Sequence, residues 1–288
     1  MQDVTTLLGG LTFPESPRWR DDRLYFSDIY ASEVIKVDLE GSYEIVAAMS
    51  MPSGIGWTPD GEMLVVSMDM PPQLWRVADG ATMVSTDLSD VAQWPCNDMV
   101  IDGQGSVYVG QLGFAIPPDD AGDDQTDPPQ EAPLVLVRPD GPRTASHELL
   151  ACGNGMAITG DGQTLIVAET FASKITAFSI ATDGSLADRR LFAQLDDMPD
   201  GLCLDDEGAV WAAVLQTGRF IRVVEGGGVT DEIVLPEGRK AIACVLGGAD
   251  RKTLFLCTTG SLAKQEVLSQ RDGRIEMTSV EVAGEGIP

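Results

Sequence analysis

Gly54-Ile55-Gly56-Trp57-Thr58-Pro59-Asp60-Gly61-Glu62-Met63-Leu64-Val65-Val66-Ser67 is an apolar stretch, an Asp-Gly turn and a run rich in β-branched residues. Alternating apolar runs joined at hairpin spacing by Gly and Asp read as paired strands. The pattern returns along the chain, with turns at Asp21-Asp22, Asp102-Gly103, Asp161-Gly162, Asp206-Glu207-Gly208 and Ala249-Asp250. The runs that follow are Leu24–Ser27, Val107–Gly110, Leu165–Ala168, Val210–Ala213 and Leu254–Cys257. A spacing of roughly 40 to 45 residues, with one gap of about 60, is that of propeller blades, each a four-stranded sheet.

The second repeat supplies strands over Gly54–Thr58, Met63–Ser67, Leu74–Ala78 and Thr82–Leu88. The fifth supplies Leu202–Leu204, Val210–Leu215, Phe220–Val224 and Asp231–Leu235. No segment holds a helical period. The sixth repeat offers Ala243–Leu246, Leu254–Thr258 and Ile275–Val282 before the sequence stops. Thr5–Leu11 is predicted to supply its missing strand, which closes the ring and removes two exposed sheet edges. The expectation is an all-β chain, one six-bladed β-propeller domain over residues 1–288, closed by an N-terminal strand.

The 288 residues carry 45 acidic and 19 basic side chains, a formal net charge of −26. Such a surface repels nucleic acid and anionic lipid, so neither is expected as a partner. No apolar stretch reaches the ~18 residues of a membrane span, and Met1-Gln2-Asp3-Val4 lacks the basic start of a secretory signal. A cytoplasmic monomer or small homo-oligomer is expected. The five cysteines (Cys96, Cys152, Cys203, Cys244, Cys257) form no CxxC pair and read as small buried hydrophobes without structural disulfides. Between repeats three and four, Pro117-Pro118-Asp119-Asp120-Ala121-Gly122-Asp123-Asp124 and then Pro128-Pro129 cannot continue a strand. This 117–131 insertion reads as a loop, either a lid over the channel or a surface excursion. Its Asp spacing does not fit an EF-hand.

Superposing the repeats at the start of each innermost strand, a few residues before the turn, collects Glu15, Ser53, Asn97, Asn154 and Asp200. The sixth equivalent falls near Ala243. Each of these types is also a common turn former, but five oxygen-bearing side chains at one repeat position predict a polar ring facing the axis. Two carboxylates on one axis resist ionising together. One divalent cation relieves that repulsion, and carboxylate plus amide oxygens suit a hard ion. Calcium comes first, with magnesium, manganese or zinc as alternatives.

Several segments resemble the gluconolactonase family, which also includes senescence marker protein and luciferin-regenerating enzyme. They are Pro14-Glu15-Ser16-Pro17-Arg18-Trp19, Asn97-Asp98-Met99-Val100-Ile101-Asp102, Asn154-Gly155-Met156-Ala157-Ile158, Pro199-Asp200-Gly201-Leu202-Cys203-Leu204-Asp205 and Gly247-Gly248-Ala249-Asp250-Arg251-Lys252-Thr253-Leu254. The resemblance runs from Phe13 to Thr258. It implies a six-bladed propeller with an axial divalent metal, metal ligands at Glu15, Asn154 and Asp200, and a substrate-side Asn at Asn97. Sugar-lactone members carry an Arg two residues before that Asn; here the position is Pro95, flanked by Trp94 and Cys96. With Met70, Phe114, Phe171 and Met198 as mouth residues, a substrate less hydroxylated than a sugar lactone is expected. Asn97, Asp98, Trp94, Phe114 and Met198 are the expected substrate contacts.

Metal-assisted ester hydrolysis needs an activated carbonyl, a water and a base. Asp200 is the expected base and Asn97 its catalytic neighbour, acting on a small-molecule lactone or ester. His147, the one histidine, falls in Ala145–Leu150, read as an outer strand, which excludes a three-histidine zinc site and a serine–histidine triad. A metal-dependent phosphotriesterase on the same site is one alternative. A calcium-stabilised interaction propeller without activity is another, and a strictosidine-synthase-like condensation is a more distant third.

Overall fold

The computed structural model describes residues 3–116 and 128–286. Six antiparallel sheets follow one another along the chain. The first contains Pro14–Arg20, Arg23–Asp28, Glu33–Val37 and Tyr43–Ala48, from innermost to outermost; the second Pro52–Trp57, Met63–Ser67, Gln73–Ala78 and Ala81–Asp87. The third contains Cys96–Ile101, Val107–Gln111, Val135–Arg138 and Gly141–Thr144; the fourth Gly153–Ile158, Thr164–Glu169, Lys174–Ile180 and Leu186–Gln194. The fifth contains Pro199–Asp205, Val210–Val214, Arg219–Val224 and Gly228–Val234. Lys240–Gly247, Thr253–Thr259 and Gly273–Ser279 make the sixth, whose outermost strand is Thr5–Leu11. Thr5 lies opposite Met277 and Leu11 opposite Gly273 in antiparallel register. The six-bladed propeller and its closure by the N-terminal strand are as the sequence predicts.

The turns show why those residues stand there. Arg20 pairs with Arg23 and Ala78 with Ala81 across two-residue turns. Asp21, Asp22, Asp79 and Gly80 all take positive φ, from 49° to 75°. Turns of that hand match the twist of the flanking strands, and Asp and Gly tolerate the conformation best. Between each pair of neighbouring blades lies one apolar cluster. Blades one and two enclose Val34, Ile55 and Val65, while blades four and five enclose Ile166, Leu204 and Val210. Each such side chain contributes about 1.5–3 kcal/mol when fully buried. A blade therefore becomes stable only against its neighbours.

Every innermost strand carries a register shift near its start: Glu15/Arg18, Pro52/Ile55, Cys96/Met99, Gly153/Met156, Pro199/Leu202 and Ala241/Ala243. Bulges re-aim side chains, and here each stands at the position predicted to face the axis. The backbones crowd one another at the same level. A Cβ on Gly155 would lie 2.5 Å from the Asp200 carbonyl oxygen, and one on Gly201 would lie 2.3 Å from the Ala243 Cβ.

One sequence expectation is corrected, and two short elements are added. Ala145–Leu150 is not an outer strand; the fourth strand of its blade is Gly141–Thr144, and the following residues form a loop in which only Leu150 bridges, to Ala132. His147 in that loop is exposed. A short helix occurs at Lys264–Gln270, its seven residues too few to show a helical period in the sequence. Finally, Gly284–Glu285 adds a short strand beside the innermost strand of blade five, at Leu204 and Asp205. The 117–131 insertion, read as a lid or a surface excursion, falls largely outside the described residues. Among the described residues no helix is long and apolar enough to cross a membrane.

Candidate active site

Glu15, Ser53, Asn97, Asn154 and Asp200 converge on one axial cavity of about 290 Å³. All five are buried, Glu15 and Asp200 at 6% exposure each. The sixth blade contributes no oxygen at this level, because its bulge falls at Ile242 and Ala243, which are packed into the core. The two acids, on blades one and five, therefore flank the blade that adds no side-chain oxygen.

Burial raises both carboxyls well above the usual carboxylate range. For Glu15 the cause is desolvation, then the charges of Asp200 and Asp98; for Asp200 it is desolvation, then Asp98, partly offset by a hydrogen bond from Asn154. The Asn154 Nδ2 also donates to Thr170 Oγ1 (3.1 Å), and that hydroxyl donates to the Pro199 carbonyl oxygen (2.8 Å). The amide of Asn154 is therefore held by the wall beside the innermost strand of blade five. The Asn97 Oδ1 is buried without a hydrogen-bond partner.

These donors fit a hard divalent cation. Two desolvated carboxylates raise each other's proton affinity, and the amide side chains of Asn97 and Asn154 line the same cavity; a cation relieves the first and can draw oxygen ligands from the second. Among the described residues no three His, Cys, Asp or Glu side chains gather as a metal cluster, so the set is two carboxylates completed by amide oxygens. Cys152 lines the cavity, but burial pushes its thiol up to about 12. In the metal-free protein it is therefore protonated at neutral pH.

Above the polar ring lies a second ring that sequence reasoning missed. Ile29, Met68, Leu112, Thr170 and Leu215 each follow directly on the second strand of their blade, and all line the cavity. The same superposition, moved one strand outward, collects them. Four are apolar. Phe13, Tyr30, Phe114, Phe171, Met198 and Leu262 extend this wall, with Phe114 and Phe171 meeting edge-to-face at 5.8 Å. Buried Asp197 fixes part of the rim. Its carboxylate accepts from the backbone N–H of Met198 (2.6 Å) and Thr217 (2.8 Å) and from the Thr217 hydroxyl (2.6 Å). Those bonds outweigh its partial burial and lower its pKa.

Of the expected substrate contacts, Asn97, Phe114 and Met198 line this cavity, and Trp94 and Asp98 do not. The backbone N–H of Trp94 donates to Gln111 Oε1 (3.2 Å), and its side chain lies outside the cavity wall. Asp98 does not line that cavity; it reaches across the channel beneath the polar ring to Arg18 and the Ser16 hydroxyl of blade one. Pro95 and Met70 line an adjoining cavity of about 590 Å³, which shares Tyr30 and Met68 with the axial one.

The comparisons with known proteins agree with this architecture. The profile of the SMP-30/Gluconolactonase/LRE-like region matches residues 13–260. A pentonolactonase from Haloferax volcanii is 26% identical over 253 residues, covering 85% of this chain and 81% of its own. Regucalcin from Gallus gallus is 23% identical, covering 94% of this chain and 92% of its own. Among solved structures, a luciferin-regenerating enzyme superposes with a TM-score of 0.80 at 20% identity, covering 100% of this chain and 99% of its own. A gluconolactonase from Xanthomonas campestris superposes with a TM-score of 0.73 at 23% identity, over 99% of this chain and 89% of its own. A calcium-binding regucalcin from Agrobacterium tumefaciens gives 0.78 at 18%, over 100% of this chain and 97% of its own. With six blades, an axial acid pair and a family profile spanning most of its length, the chain belongs to the SMP-30/gluconolactonase/LRE-like family.

Proposed function

We propose that the protein is a metal-dependent hydrolase that opens a lactone less polar than a sugar lactone. The observation that carries this reading is the pairing of two buried carboxylates and an unpartnered amide oxygen with an apolar ring directly above them. The lactonases among its relatives support the reaction class.

Glu15, Asn154 and Asp200 would hold the divalent cation, calcium first. When bound, such an ion polarises a carbonyl oxygen and stabilises the charge that develops on it, an effect worth several kcal/mol. Asp200 accepts the proton of the attacking water as the new C–O bond forms at the carbonyl carbon. The ring C–O bond then breaks and the proton passes to the departing alkoxide, which leaves a hydroxy acid. Asn97 lines the same cavity and orients the water or the substrate without adding charge. The Thr170 hydroxyl holds the Asn154 amide in place.

Substrate preference follows from the upper ring. Ile29, Met68, Leu112 and Leu215 offer no hydrogen bonds to sugar hydroxyls, and burying unpaired hydroxyls against them is costly. The adjoining cavity at Met70 and Pro95 leaves room for a substituent on the ring. A pH-indicator assay comparing alkyl-substituted lactones, gluconolactone and aryl phosphotriesters tests the proposal. Preference for the alkyl lactones supports it; preference for phosphotriesters transfers the site to phosphoryl chemistry; no turnover of any substrate removes the hydrolase reading.

A further inference from the structure

At the far ends of the innermost strands, away from the catalytic cavity, lies a separate pocket of about 220 Å³. The strand Pro14–Arg20 carries Glu15 at one end and Trp19 and Arg20 at the other, about 15 Å further along at ~3.3 Å per residue. Pro52–Trp57 likewise carries Ser53 at the catalytic end and Trp57 at this one.

The walls of this pocket include Arg18, Arg20 and Arg251, and no Asp or Glu. In a chain with 45 acidic and 19 basic side chains, a lining of that composition stands against the general surface. Each arginine also has capacity to spare. Arg18 is 5% exposed and uses Nη1 and Nη2 on the Pro17 carbonyl, Asp98 and the Met99 carbonyl, while its Nε has no partner. Arg20 lies over the Trp57 ring at 5.0 Å and pairs only at the exposed edge, with Asp21 at 3.3 Å. Arg251 forms no ion pair among the described residues.

The aromatic walls are held in place by packing on neighbouring rings. Trp19 stacks on Phe255 with centroids 5.2 Å apart and planes 14° from parallel, and Trp57 stands edge-on to Tyr25. A Cβ on Gly56 would lie 2.8 Å from Ile101, so the glycine lets the innermost strands of blades two and three approach closely at this end. The volume falls below the ~300–1,000 Å³ of drug-sized pockets, which limits a ligand to about one ring.

We propose that this pocket is a second ligand site, built for a small aromatic carboxylate whose ring lies against Trp19 and Trp57 and whose anion meets Arg20 and Arg251. Guanidinium groups bind carboxylates through paired charge-assisted hydrogen bonds and stack on aromatic faces. The net charge of −26 repels anions at long range, so binding is decided by these contacts and not by the overall field.

The test is a titration of benzoate into the full-length protein, followed by tryptophan fluorescence and calorimetry. The fluorescence should change saturably, and benzyl alcohol, the neutral counterpart, should not reproduce the change. Arg20→Gln with Arg251→Gln should weaken benzoate binding by about ten-fold or more while the melting temperature holds, since both side chains reach solvent. Phe114→Ala, in the catalytic cavity, should leave it unaltered. No saturable binding, equal affinity in the double variant, or loss in Phe114→Ala would each overturn the proposal.

Discussion

Arg18 of blade one reaches under the polar ring to Asp98 of blade three, Nη2 to Oδ1 at 3.1 Å, with both residues buried. The same carboxylate oxygen accepts from the Ser16 hydroxyl at 2.8 Å. This ion pair joins two nonadjacent blades across the channel beneath Glu15, and it engages the Asp98 carboxylate there. Removing one partner of a buried pair leaves an uncompensated charge, at a cost of about 3–5 kcal/mol. Arg18→Leu should therefore lower unfolding stability by about that amount in urea denaturation, and adding Asp98→Asn should recover part of it. A loss below ~1 kcal/mol in the single variant would show that the pair contributes little.

Glu15 and Asp200 make the metal-stripped protein sensitive to pH. Both carboxyls hold their protons above the ordinary carboxylate range in the fold, so folding takes up protons above a pH of about 4, the unfolded value. Their contribution to stability is complete below that value and is lost as the pH rises. Chelator-treated protein should thus lose thermal stability from these groups between acid and neutral pH, and Asp200→Asn should lose less. Calcium should restore the wild type more than the variant, as linkage requires of an ion that binds only the fold. Parallel melting curves for the two proteins across that pH range would contradict this.

Much of the site was legible in the sequence because repetition turns position into evidence. Glu15, Ser53, Asn97, Asn154 and Asp200 fall on one bulge repeated around the ring, and the oxygen-bearing types stand out there against apolar strands. The second ring occupies equally regular positions, but Ile29, Met68, Leu112 and Leu215 differ in no way by type from core residues. Asp98 and Trp94 adjoin the Asn97 region in the chain, yet neither lines the cavity. Alternation along the strand and the bulge after Cys96 instead turn Asp98 toward Arg18. Ala145–Leu150 has the composition of a strand, yet the outer edge of its blade is already formed by Gly141–Thr144.

The five buried thiols supply a check that is independent of activity. All are free, and burial pushes Cys96 and Cys152 up to about 12. At pH 8 the reactive thiolate is scarce and shielded. Ellman's reagent should react slowly with the native protein and with all five thiols after denaturation. Rapid labelling of Cys152 in the native state would show that the axial cavity is wetter and more open than described.

The most direct test is lactone hydrolysis by chelator-stripped protein, with calcium, magnesium, manganese or zinc added back one at a time, for the wild type and Asp200→Ala together. Turnover should vanish on stripping, return with one cation, and fall by at least ~10²–10⁴-fold in the folded variant, the range attributed to a positioned general base. Near-full activity in Asp200→Ala, or turnover indifferent to the chelator, would contradict the assignment of Asp200 and of the axial metal site.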